Sequence, residues 1–124
     1  MSAHIWPLIA ASCEFDPALH PLDVREAMDE GAAVFATDTA VLVARIIEYP
    51  RKKTKICEVL VAGGYLPDLL NILRPETEQW ARDNNCTHCT VEGRTGWARV
   101  TKQHGYTANK IIAVKSLGGD NEQV

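Results

Sequence analysis

The chain has 124 residues, with 13 Lys and Arg against 16 Asp and Glu and a formal net charge of -3. That size suits one domain, and 46% hydrophobic with 23% charged residues is ordinary globular usage rather than disorder. The acidic balance removes the electrostatic case for a dedicated nucleic-acid binder, and no apolar run approaches the roughly 20 residues of a membrane span.

The opening Met1-Ser-Ala-His-Ile-Trp-Pro7 lacks the basic region and long apolar stretch of a signal peptide, so the expected compartment is a cytoplasm. Ile5 to Ala11 is a short apolar run that reads as a first strand. Asp16-Pro17 and His20-Pro21 punctuate the chain after it, because a residue before proline avoids helical angles. Asp23 to Glu30 reads as a helix with Val24, Ala27 and Met28 on one stripe, stopped by Gly31.

Ala32 to Thr37 and Thr39 to Ile47, split by Thr37-Asp38-Thr39, read as a β-hairpin. Tyr49-Pro50-Arg51-Lys52-Lys53 is a polar turn. Lys55 to Ala62 is apolar enough for a central strand, ended by Gly63-Gly64. Leu66 to Asn84 carries a helical period that Pro75 should kink or restart. Cys86 to Glu92 reads as a strand broken by Gly93, and Thr95 to His104 as a helix ended by Gly105 in the left-handed region. Asn109 to Leu117 reads as a final strand, and residues 118–124 as a loose polar tail outside a single domain spanning 1–117. The order predicts an α/β (α+β) domain: a mixed, mainly antiparallel sheet with helices on both faces. The Lys55–Ala62 strand, the following helix and the Cys86–Glu92 strand form a parallel βαβ unit.

Of the four cysteines, only Cys86 and Cys89, with His88 between them, cluster in sequence. Zinc needs four ligands around one point. Strand alternation sends Cys86 and His88 to one face and Cys89 to the other, while Cys13, Cys57 and His104 are scattered. The expectation is small buried free thiols and no metal.

Four stretches carry a family resemblance: Glu58-Val-Leu-Val-Ala-Gly-Gly64, Glu78-Gln-Trp80-Ala-Arg82, Val91-Glu-Gly-Arg94-Thr-Gly-Trp97-Ala-Arg99, and His104-Gly-Tyr106. Together with the element order they resemble the GCN5-related N-acetyltransferase (GNAT) fold. More narrowly, they look like small GNAT-like proteins of tailed bacteriophages and prophages. The resemblance implies acetyl-CoA as cofactor if the protein is an enzyme, held by a glycine-rich loop at the start of the helix after the central strand. Ala62, Gly63, Gly64 and Arg94 are then the cofactor-binding candidates.

The family's loop carries a basic residue that Ala62-Gly63-Gly64-Tyr65-Leu66-Pro67 lacks, and Pro67 removes one backbone donor. Where the family places a general-acid tyrosine, this chain has Thr101. Glu58 and Glu92 are the candidates for general base. The plain alternatives are that Glu58 faces solvent or pairs with Lys55 or Arg45, and that Glu92 is a charge at a helix start. The main expectation is therefore a non-catalytic, virion-associated phage protein, working through other virion or assembly proteins or as a homo-oligomer, in a virion or the host cytoplasm. The alternative is an acyl-CoA-dependent N-acyltransferase acting on an amine.

Overall fold

The computed structural model describes residues 4–14, 16–92, 96–108 and 115–117, without the side chains of 96–98. They divide after Arg94 into two compact units.

The first unit opens with helix α1 (Ile5–Cys13), where a strand is expected from the apolar run. Ile5, Ile9 and Cys13, four residues apart, are its buried side chains, so the segment presents one stripe to the core. Helix α2 (Pro21–Asp29) starts two residues before the expected Asp23. His20 Nδ1 accepts from the Leu22 N–H at 3.0 Å, and Asp23 Oδ2 accepts from the His20 N–H at 3.0 Å. That reciprocal cap, with Pro21 in the first turn, sets the boundary. Gly31, at φ 109°, ends it as expected: its N–H donates to Met28 O and the Ala32 N–H to Ala27 O.

Strands β1 (Ala33–Ala36) and β2 (Ala40–Tyr49) form the expected hairpin, in register Ala33 to Ala44 through Ala36 to Val41. Thr37 Oγ1 accepts from the N–H groups of Thr39 and Ala40, which turns the chain. Strand β3 (Thr54–Gly64) pairs antiparallel with β2 along its whole length, with a bulge that leaves Leu60 unmatched between Val59 and Val61. Gly63 and Gly64 are part of this strand rather than its terminator. Strand β4 (His88–Val91) pairs parallel to β3, from Ile56 opposite His88 to Val59 opposite Val91. The sheet order is β1-β2-β3-β4, a mixed and mainly antiparallel sheet.

Between β3 and β4 the chain is helical throughout: α3 (Leu66–Asp68), a π-helical segment (Leu69–Leu73) and α4 (Arg74–Asp83). Pro75 accounts for the middle piece, since it has no N–H and its ring crowds the preceding turn. The Arg74 N–H reaches back five residues to Leu69 O. Leu70 O accepts instead from Arg74 Nε at 2.9 Å, so a side chain supplies a donor the backbone does not.

Helices cover both faces of the sheet. Ile5, Ile9, Cys13 and Val24 pack with Val41, Val43 and Val61 on one face. On the other, Phe35 meets Trp80 edge to face with ring centroids 5.9 Å apart, which gives Trp80 a packing role.

The second unit holds helix α5 (Gly96–Lys102). Gly105, at φ 88°, is its left-handed terminator: its own N–H donates to Lys102 O and the Tyr106 N–H to Thr101 O. The expected final strand through residues 109–114 and the tail at 118–124 lie outside the described residues.

Candidate functional site

The parallel pair is the natural place to look, because ligands of α/β sheets gather at the carboxyl ends of parallel strands. β3 and β4 are matched over Ile56–Val59 only. β3 then continues for five residues, Leu60–Gly64, which have no strand partner on the β4 side among the described residues. That edge of extended backbone, leading into Tyr65 and the start of α3, is the candidate site.

The two glycines there serve the chain's own packing. A Cβ on Gly63 would collide with Ser12 Oγ and lie 3.0 Å from Leu8 O, so the missing side chain is what lets α1 lie against β3. Gly64 sits at φ 106°, and a Cβ on it would collide with Thr39 O. The Tyr65 N–H donates to that same Thr39 carbonyl at 2.9 Å.

Asp68, in the first turn after the junction, is a feature the sequence does not announce. Its Oδ2 accepts from both Thr37 and Thr39 hydroxyls at 2.7 Å. These bonds, Thr39's first, hold its carboxyl below the usual carboxylate range. They also tie the β1–β2 turn to the helix start, across separations of 31 and 29 residues that no local motif reveals.

Glu58 is on the doubly paired half of β3, opposite Arg45. Its Oε1 accepts from Arg45 Nε at 2.8 Å, and Arg45 Nη2 is also 2.8 Å away. Of the alternatives for this residue, the pair with Arg45 is the one present. Glu92 comes directly after β4 and is exposed. Ala62 is half-buried beside Gly63. The structure thus places Ala62, Gly63 and Gly64 along the stretch of β3 that has no strand partner on the β4 side among the described residues, with Glu58 on the preceding paired stretch; Arg94 lies outside the described residues.

The cysteines are arranged differently from the alternation expected of a strand beginning at Cys86. β4 begins only at His88, so Cys86 precedes the pleat; its N–H donates to Ala81 O. Cys57 and Cys89 are register partners in the parallel pair. Cys57 is fully buried, and its hydrogen bond to Cys89, followed by burial, pushes its thiol far up. Burial, before any other cause, raises the Cys86 thiol as well. Among the described residues no group of three or more His, Cys, Asp or Glu side chains is placed to hold a metal ion.

An open depression of about 470 Å³ lies elsewhere, at the sheet edge, bordered by Gly31, Arg45, Ile47 and Trp80 among others. Its lining includes none of the candidate residues. No helix among the described residues is long and apolar enough to cross a membrane.

No family model matches the sequence, and no curated protein shows significant similarity to it. Solved structures do share the fold. An acetyltransferase from Trypanosoma brucei superposes with a TM-score of 0.63 at 12% identity, over 93% of this chain and 92% of that one. A ribosomal-protein-alanine N-acetyltransferase from Brucella melitensis biovar Abortus gives 0.63 at 12% identity, over 92% and 91%. A GNAT family acetyltransferase from Staphylococcus aureus gives 0.55 at 10% identity, over 91% and 88%. At such identities the likeness is one of fold, and the fold is that of the GNAT acetyltransferases.

Proposed function

We propose that the chain is an acyl-CoA-dependent N-acyltransferase acting on an amine, with the open half of β3 as the donor site. The observation that carries the reading is the run of Leu60–Gly64 beyond the last β3–β4 pair. An extended strand edge offers alternating N–H and C=O groups, and the two amides of a pantetheine arm can pair with them as another strand would. Acetyl-CoA would supply a thioester carbonyl for the amine to attack.

The residues fit the two ends of this cofactor unequally. The backbone edge suits the pantetheine arm. The diphosphate finds no cradle in residues 62–68, where the glycines serve packing, no residue is basic and Asp68 is an anion. Glu58 and Glu92 remain the carboxylates proposed as base. Glu58 has to leave Arg45 to take a proton, whereas Glu92 is exposed.

Calorimetric titration with acetyl-CoA and with CoA tests this reading. Saturable binding, followed by amine acetylation that Glu58→Gln or Glu92→Gln slows by about 100-fold or more, supports it. Absence of heat and of thermal stabilisation at millimolar ligand overturns it.

The occupied glycine positions and the Asp68 carboxylate favour a second reading, a fold kept for contact rather than catalysis. In this reading the chain is a virion or assembly component of a tailed phage, possessing exposed Tyr65 and Leu66 as contact residues. Recovery of the chain from purified particles by mass spectrometry supports it; a monomer absent from them counts against it.

A further inference from the structure

We propose that Cys57 and Cys89 are an oxidant-responsive pair, with Cys89 as the entry thiol and Cys57 as the resolving thiol, closing a disulfide between β3 and β4. The placement comes from the sheet. The two residues are register partners, so their side chains leave the same face of adjacent strands. Neighbouring strands are about 4.8 Å apart. That lies within the roughly 4.4–6.8 Å between Cα atoms that a disulfide spans.

Cys89 is also the foremost influence that raises the Cys57 thiol, ahead of burial. The two thiols differ in access: Cys57 is 0% exposed, whereas Cys89 is half-buried and open to a small solute. Cys89 beside it and then burial raise the Cys57 thiol, so it stays protonated and is not the first to meet an oxidant.

The oxidant is a hydroperoxide. Cys89 sulfur attacks the peroxide, an S–O bond forms, the O–O bond breaks, and an alcohol or water leaves. Cys57 sulfur then attacks Cys89 sulfur. An S–S bond forms, the S–O bond breaks, and the departing hydroxide takes the Cys57 proton as water. Two thiols lose two electrons and two protons, and the hydroperoxide is reduced. The link would fasten β3 to β4 two residues before their last pair, Val59 with Val91, at the base of the open edge. It stands independently of the acyltransferase reading.

The test is hydrogen peroxide treatment of the folded full chain, alkylation of the remaining thiols, and non-reducing peptide mapping. The expected result is a fall from four free thiols to two, a mass loss of two hydrogens, and a peptide joining Cys57 to Cys89 that dithiothreitol releases. Cys86→Ser is expected to form the same link at the wild-type rate. A Cys86–Cys89 link, over-oxidation of Cys89 with Cys57 still free, or loss of the link in Cys86→Ser would each overturn the proposal. So would four thiols left unreacted.

Discussion

The two halves of β3 belong to one strand and are held in different ways. Thr54–Val59 is matched to β2 on one side, and from Ile56 onward to β4 on the other. Past the Leu60 bulge, Val61–Gly64 keeps β2, loses β4 among the described residues, and is held by α1 through Gly63 and at its end by the Thr39–Asp68 clamp. The first half is secured by ladders and the second by close approach of backbone. A side chain added to the second half should therefore cost more than a charge removed from the first.

The largest effect is expected at Gly64. In Gly64→Ala the new Cβ meets backbone that cannot swing away, and φ 106° strains any side chain. Loss of about 3 kcal/mol in urea unfolding is expected from strain and overpacking together. An unchanged midpoint would mean that the two halves tolerate substitution alike.

Gly63→Ala comes next. Its first collision is with the Ser12 hydroxyl, the end of a side chain that can turn or be removed. A loss of about 1.5 kcal/mol is expected. The Gly63→Ala, Ser12→Ala double variant should recover most of it, because the pair shares one contact. Strict additivity in that cycle would show that Ser12 is not what confines Gly63.

Asp68 sharpens the comparison through pH. Its folded pKa is depressed by Thr39 and Thr37, so its contribution is present above the ordinary carboxylate range. The contribution is lost as pH falls through the lower folded value. Asp68→Asn should flatten the acid limb of stability against pH and leave the neutral limb's slope unchanged. Parallel acid limbs in the two proteins would count against the clamp.

The smallest effect is expected in the doubly paired half. Glu58→Gln removes an ion pair whose side chains are 47% and 28% exposed, worth about 0.5 kcal/mol after screening. That value should shrink further with added salt. The mild structural cost makes Glu58→Gln a clean probe of catalysis, since a large rate loss could not then come from unfolding.

Residues that act on near neighbours are readable from the sequence. The Thr37-Asp38-Thr39 turn is written in a threonine whose hydroxyl reaches backbone two and three residues on. Gly31 and Gly105 end their helices for a reason local to each, the positive φ that glycine takes without strain. The candidate site is only partly legible. Ala62, Gly63 and Gly64 fall on the open edge, but their spacing does not disclose that Ser12 and Thr39 already occupy the glycines' free space. Arg45 and Glu58, 13 residues apart, form the pair that is one alternative among three in the sequence.

Taken alone, the amino-acid sequence determined the hairpin, the central strand, the helix ends and the parallel β3–β4 unit. The first three arise from periodicity or turn chemistry within about a dozen residues, and the parallel unit from the strand–helix–strand order. Tertiary structure decided the rest. Ile5 to Ala11 suits a strand as well as a helix, and becomes helical because Ile5, Ile9 and Cys13 find one core to share with Val41, Val43 and Val61. Pro75 could have broken its helix, but a π-helical turn and the Arg74 side chain absorb it. The Asp68 clamp and the Cys57–Cys89 register pair join residues more than two dozen positions apart. Such contacts form when strands pair and helices dock, and a pattern along the chain carries no record of them.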